Sequence, residues 1–473
     1  MLANIIKENI MFVNREKELE TLNREYKSKG SSFTIIYGRR RVGKTTLISE
    51  YIKNKPSIFF YATEANIDYQ RQLFADLIIA YTGKKYLREA AFSSFEQLFI
   101  FLSENIKTKK IILAIDEYQQ LAKLDRSFSS VVQKVWDNHL KTKNIHLILC
   151  GSAISMMYSE ALSYSSPLYG RRTSSIFLKQ MEFRHIRQFV KNVSLIEEMN
   201  IFAAFGTIPK YLELFDSKKS FIDNIKTQIL DKNSYLYNEV KFLLREEISE
   251  PVTYFTILEI ISKGESKIGK IAGKLNVAAS YLTRYMQRLI DLDILKKEVP
   301  VTEKNPEKSK LGRYRIKDNF INFWFYYVFM NQSYLEIGNV DYVVDKIKSS
   351  FNEKFVSFAF EDYVMALILE DPVQYLGFRP IKIGRWWNNQ EEIDLVAIGE
   401  EKAAFIECKW QNQKVGHKVL LELLRKSELV EIDPTLEKVM VIFSKSGFKD
   451  GVEKADGKFF SFLAGIIGTS LRK

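Results

Sequence analysis

Thr34-Ile35-Ile36-Tyr37-Gly38-Arg39-Arg40-Arg41-Val42-Gly43-Lys44-Thr45-Thr46 decides how the first third of this chain folds. A short β-prone run, Thr34 to Tyr37, feeds a loop of the form GxxxxGK[ST], and a helical stretch from Thr46 to Asn54 follows. Strand, glycine loop, helix is the order a phosphate cradle needs. The glycines permit a tight loop whose backbone N–H groups surround phosphate oxygens, and the helix N-terminus adds a favourable dipole. Lys44 is positioned to reach the β- and γ-phosphates of a nucleoside triphosphate, and Thr45 to offer its hydroxyl to Mg²⁺. Gly38, Arg39, Arg40, Arg41, Val42, Gly43, Lys44, Thr45 and Thr46 are thus the expected ATP-binding residues.

Outward from this loop the pattern stays α/β. Ser57–Tyr61, Ile111–Ile115 and Leu147–Cys150 read as further buried parallel strands, alternating with helical stretches. Asp116 and Glu117 follow the Ile111–Ile115 run, 72 residues after Lys44. An apolar strand delivering Asp and then Glu fits a Walker B element, in which Asp116 organises Mg²⁺ and Glu117 polarises the attacking water. Ser152, at the end of the next strand, reads either as a sensor of the γ-phosphate or as a strand-end cap. Arg171 and Arg172 either meet a phosphate, in cis or from a neighbouring subunit, or form a solvated basic turn after Gly170.

Composition sets the outer bounds. The 473 residues exceed one ordinary core and imply roughly three or four domains. Lys and Arg number 70 against 58 Asp and Glu, a net +12 that is compatible with a nucleic-acid partner without proving one. Two cysteines, Cys150 and Cys408, exclude a disulfide scaffold, and four scattered histidines argue against a histidine-built metal centre. Met1 to Asn14 shows no signal-peptide pattern, and the densest apolar run, Phe320 to Met330, is too short to span a bilayer. A cytoplasmic protein without membrane contact is expected.

The entry Phe12-Val13-Asn14-Arg15-Glu16, the triple-arginine P-loop and Asp116-Glu117-Tyr118-Gln119 resemble archaeal-type ATPases of the STAND branch of AAA-related P-loop NTPases. Cys150-Gly151-Ser152, Tyr169-Gly170-Arg171-Arg172 and Phe205-Gly206-Thr207-Ile208-Pro209-Lys210-Tyr211-Leu212 continue the resemblance in order, with Phe205 where the family usually has glycine. It implies a switch, in which nucleotide state changes domain packing.

Beyond a helical stretch at 182–249, helical runs at Thr253–Ser262, Lys267–Leu275 and Ala279–Leu292 are spaced as in a helix-turn-helix. Ile294–Val301 and Arg313–Ile316 would make a wing around a polar loop. The third helix offers Ser280, Tyr281, Thr283, Arg284, Gln287 and Arg288 to phosphates or base edges. Lys296 to Lys317 holds eight Lys or Arg against three Glu. The segment reads as a DNA-binding winged helix or as a packing module of the same shape.

The last section returns to α/β. Asp394 lies in one strand pattern and Glu407-Cys408-Lys409 in the next. A side-chain period of two puts Glu407 and Lys409 on one side, and an antiparallel neighbour could add Asp394 there. Two carboxylates and a lysine make an oxygen-ligand site for a hard cation. This order resembles the PD-(D/E)XK nuclease superfamily. The resemblance implies that Asp394 and Glu407, with the Cys408 carbonyl, hold Mg²⁺ and that Lys409 orients or activates water. It also makes Glu361 the helix-borne acid and Gln413 an extra polar contact. Trp386 and Trp387 read as base-stacking residues or as core.

The expected architecture is therefore α/β: a P-loop NTPase parallel sheet (1–181), a helical lid (182–249), a winged helix (250–318) and a C-terminal restriction-endonuclease-like α/β domain (319–473). The expected activity is ATP hydrolysis with Mg²⁺ controlling DNA binding or cleavage, with a homo-oligomer or an unidentified protein partner open. The alternative is a non-cleaving nucleotide-gated adaptor or transcriptional regulator.

Overall fold

The computed structural model describes residues 12–89, 92–106, 109–248, 250–452 and 457–461. The expectation about the extreme N-terminus therefore falls mostly outside the described residues. The chain divides into two compact units. One contains the residues up to Phe189 together with Ile208–Lys210 and Glu246–Ser249, and the other contains Val190–Thr207, Tyr211–Arg245 and the chain from Glu250 onward.

The first unit is built on five parallel strands: β1 (Ser32–Tyr37), β2 (Ser57–Tyr61), β3 (Ile111–Asp116), β4 (Ile145–Gly151) and β5 (Ser174–Phe177). Their order is β2-β3-β4-β1-β5. The uninterrupted apolar runs have a simple cause: both faces of the sheet are covered. On β3, Ile111, Leu113 and Ile115 join one cluster with Phe74, Phe99 and Trp136. Ile112 and Ala114 face the opposite cluster with Leu22, Leu47, Ile48 and Tyr51. The order also places β4 between the P-loop strand and the strand that ends in Asp116.

In the second unit the helices Pro251–Ser262, Ile268–Leu275 and Ala279–Asp291 precede a hairpin of β6 (Leu295–Glu298) and β7 (Arg313–Ile316). The apolar run at 320–330 is helical, with Trp324 buried and its Nε1 donating to the Tyr237 carbonyl at 2.7 Å. A second sheet follows: β8 (Lys382–Trp387), β9 (Glu392–Ile398), β10 (Lys402–Lys409), β11 (Glu437–Ser444) and β12 (Lys458–Ser461). It has the order β12-β11-β10-β9-β8. β8, β9 and β10 are antiparallel neighbours, while β10, β11 and β12 run parallel. The helix His417–Ser427 makes the crossover that the parallel pair β10–β11 requires. The α/β class is as expected, and the C-terminal part is a mixed-sheet domain.

Candidate functional site

At the first sheet, β1 runs into the loop and the helix Lys44–Ile52 begins at once. Gly38 has φ +152°, and a Cβ there would lie 2.3 Å from the Leu178 carbonyl oxygen. Only glycine fits. Gly43 (φ +93°) and Arg41 (φ +70°) also adopt left-handed backbone, which coils the loop tightly. Lys44 is buried under this loop and donates to the Gly38 and Arg39 carbonyls at 2.9 and 2.8 Å. Burial pulls its pKa down, against the carboxylates of Glu117 and Asp116. Val42 is core, Arg39 is buried, and Thr45 and Thr46 are at least partly exposed.

Three neighbouring strand ends converge here. Thr45 Oγ1 donates to Asp116 Oδ2 at 2.6 Å, so the two residues expected to share a cation already meet. Asp116 Oδ1 accepts the Glu117 N–H at 2.9 Å, and Glu117 sits in left-handed backbone (φ +54°). From β4, Ser152 Oγ donates to Glu117 Oε2 at 2.8 Å. Gln119, absent from the sequence-derived site, donates its amide to both Glu117 Oε2 and Ser152 Oγ.

The other arginines are engaged elsewhere in this arrangement. Arg40 pairs with Glu246 at 2.7 Å. Glu247 accepts from the backbone N–H groups of Ile154 and Ser155 at 2.9 and 3.3 Å, capping the short helix that follows Ser152. Arg171 gives Nε and Nη2 to Asp137 Oδ2 and Nη1 to the Pro167 and Tyr169 carbonyls. Arg172 donates to the Leu162 carbonyl at 3.4 Å and lies 5.9 Å from the Tyr169 ring centroid. Glu246 lies 206 residues from Arg40 and Glu247 lies 93 residues from Ile154, and no local pattern announces them.

Residues 12–215 match the family described as an ATPase domain predominantly from Archaea, and residues 324–420 match one described as archaeal and bacterial proteins of unknown function. An uncharacterised protein of Methanocaldococcus jannaschii is 38% identical over 440 residues, which is 92% of this chain and 96% of that protein. The chain belongs to this family of archaeal ATPases. An uncharacterised ATP-binding protein of Pyrococcus abyssi is 26% identical over 291 residues, covering 53% of this chain and 88% of its own length. A Walker-type ATPase of Pyrococcus abyssi shares the fold with a TM-score of 0.50 at 18% identity, over 67% of the present ATPase and 96% of the other. Among the described residues of the ATPase, no helix is long and apolar enough to cross a membrane.

The second unit of the ATPase carries its own polar cluster. The β9–β10 register pairs Ile406 with Leu395, and one further step brings Glu407 opposite Asp394, where side chains share a face. Asp394 Oδ2 accepts the Cys408 N–H at 2.7 Å, and Lys409 Nζ donates to Glu407. Burial, reinforced by Glu407, raises the Asp394 carboxyl to about 7. Gln413 is exposed, and its carbonyl accepts from Gln411. Glu361 is buried in the helix Ser357–Glu370.

Sequence reasoning missed the group at the centre, Arg385. Between Gly384 and Trp386 the β8–β9 register shifts, so Asp394 and Leu395 together oppose the single Arg385. Such a bulge re-aims side chains. The Arg385 guanidinium pairs with Glu361, with Asp362 at 3.0 Å and with Glu298 of β6 at 3.5 Å. Burial lowers its pKa to about 10. Arg385, Asp394 and Glu361 line a cavity of about 380 Å³ with Arg313, Arg315 and Lys354. Among the described residues, no group of three or more His, Cys, Asp or Glu could hold a metal ion. Asp394 and Glu407 remain as two mutually repelling carboxylates, a donor pair that suits a hard cation.

Trp386 and Trp387 are both buried, so neither offers a stacking face; Trp387 donates to the Leu311 carbonyl and lies under Arg313. On the helix Ala279–Asp291, Ser280, Tyr281, Thr283, Arg284 and Gln287 are exposed and Arg288 is half-buried. Much of the wing's charge is internally matched: Lys296 with Glu298 and Asp362, Arg313 with Glu392, Arg315 with Glu298, and Lys317 with Asp293.

Proposed function

We propose that this chain is an ATP-binding and ATP-hydrolysing switch whose nucleotide state controls its C-terminal half. The observation that carries the reading is the meeting of Thr45, Asp116, Glu117 and Ser152 at the ends of three adjacent strands. Residues 38–46 cradle the triphosphate, and Lys44 exchanges its two carbonyl partners for β- and γ-phosphate oxygens. Thr45 and Asp116 hold Mg²⁺, which when bound supplies charge neutralisation at the phosphate oxygens. Glu117 orients water for in-line attack on the γ-phosphorus. The bond to the β–γ bridging oxygen breaks, ADP leaves, and the water proton passes through Glu117 to the released phosphate. Ser152 senses the γ-phosphate, and Arg171 or Arg172 reaches a phosphate only after leaving its present partners.

The test is paired. Lys44→Ala should lose nucleotide binding, whereas Glu117→Gln should bind ATP and release phosphate at under a hundredth of the wild-type rate. Full hydrolysis by both variants would sink the assignment.

Along the chain we read 1–181 as the ATPase core, 182–249 as a helical lid, 250–318 as a winged helix contacting DNA, and 319–473 as a nuclease-like domain. Asp394 and Glu407 would hold a divalent cation, which would supply a lowered water pKa and stabilisation of negative charge on the scissile phosphodiester, and Lys409 would orient the water. The internally paired wing and Arg385 favour a second reading, a nucleotide-gated adaptor or regulator that does not cleave. Incubation with DNA or RNA in Mg²⁺ or Mn²⁺ separates the two. Cutting that disappears in Asp394→Ala supports the nuclease, and intact strands in every nucleotide state support the adaptor. The protein is proposed to act in the cytoplasm, as a homo-oligomer or with a protein partner.

A further inference from the structure

Glu117 Oε2 receives two hydrogen bonds, one from Ser152 Oγ at 2.8 Å and one from the Gln119 amide. The same amide donates to Ser152 Oγ at 3.1 Å, closing a three-membered ring of side chains from two strand ends. Glu117 Oε1 carries no hydrogen bond among the described residues. Gln119 is buried, with 2% exposure, so its amide is not shared with bulk solvent. Its Oε1 has no hydrogen-bond partner among the described residues and lies against Gly151, where a Cβ would come within 2.5 Å of it. The amide orientation is fixed by chemistry: turned over, its oxygen would face a carboxylate oxygen.

We propose that Gln119 is a positioning residue of the hydrolytic site. It saturates Glu117 Oε2 and links it to Ser152, so that Oε1 alone is presented to the attacking water. A carboxylate free to rotate would offer either oxygen in many orientations, and a small misplacement of a reacting group is expensive in rate. Ser152 alone holds Oε2 by one bond, and the Gln119 amide, a second donor to the same oxygen, tightens that hold. A Cβ at Gly151 would meet the Met157 sulfur at 2.3 Å and Gln119 Oε1 at 2.5 Å, so glycine there leaves room for both side chains. The proposal rests on Glu117 being the group that orients water.

The experiment uses the full chain and separates turnover from binding. Phosphate release and the affinity for a fluorescent ATP analogue are measured for wild type, Glu117→Gln, Gln119→Ala and Gln119→Met. Methionine keeps the buried volume while removing the donor. Both Gln119 variants should bind nucleotide within about twofold of wild type while kcat falls about ten- to a hundredfold. Wild-type kcat in Gln119→Met overturns the proposal. So does a kcat loss matched by an equal loss of affinity, because that pattern marks a structural role. Undiminished turnover in Glu117→Gln would instead overturn the reading of the hydrolytic site itself.

Discussion

Glu246 should restrain nucleotide binding. Its carboxylate pairs with Arg40 of the phosphate loop at 2.7 Å, and Arg41 and Lys123 also bear on it. Partial burial holds its pKa above the usual carboxylate range in spite of these cations. A triphosphate entering the loop would compete for Arg40 and meet an unwelcome negative charge. Both side chains of the pair are about two-fifths exposed, with 41% and 42% accessibility, so the pair belongs with partly screened surface ion pairs. Such pairs contribute about 0.2–1 kcal/mol. Releasing Arg40 by Glu246→Gln should therefore tighten ATP binding about 1.4- to fivefold. The effect should shrink as ionic strength rises from about 0.05 to 0.5 M. Titration of a fluorescent ATP analogue reads the affinity directly. Arg40→Gln should weaken binding, and in that background the Glu246 substitution should lose most of its effect. Unchanged or weaker binding by Glu246→Gln at low salt would refute the reasoning.

His146 lies wholly buried on β4 between Thr34 Oγ1 and Tyr51 Oη, and burial, with Lys110 and Lys55 nearby, lowers its pKa to about 3. Unfolded, it titrates near 6.5, so the unfolded state binds the extra proton between roughly pH 6.5 and 3, and stability falls as pH falls through that window. By pH 5 the loss relative to pH 7 should be about 2 kcal/mol, read as β4 amide exchange in wild type against His146→Gln; a pH-independent difference would contradict it. Gly38→Ala should abolish ATP-analogue binding and destabilise the first unit by about 2–4 kcal/mol in denaturant titrations, because its Cβ must displace backbone at Leu178. Arg385→Met should destabilise the second unit by about 3–5 kcal/mol by stranding Glu361, and Glu361→Gln added to it should recover most of the loss in the same assay.

The first sheet was legible because its signal is local: β1 to β4 are apolar runs with both faces covered, and the phosphate loop is defined by contiguous residues. Asp116 and Glu117 were readable for the same reason, as was the single-sided placement of Glu407 and Lys409. What stayed hidden depends on long-range pairing. Nothing near Arg40 foretells Glu246, and Gln119, though it closes the Asp116–Gln119 element, shows no role until β4 brings Ser152 beside it. The bulge at Asp394 comes from a register shift that neither strand's pattern betrays, so the central place of Arg385 stayed hidden. Trp386 and Trp387 show the same limit: adjacent strand residues point to opposite faces, and only the packed second unit buries both. The edge strand β12 is four residues long, too short to rise above background.

The first unit is not one stretch of chain. It contains every strand of its sheet by Phe177, yet it takes back Glu246–Ser249 after a long excursion. A gene fragment stopped at Phe189 would encode the whole phosphate loop and still lack the acid on Arg40 and the cap on Ile154. Such a fragment should bind ATP without the built-in brake. The electrostatic setting of this sheet is completed by residues encoded just before the helix Pro251–Ser262.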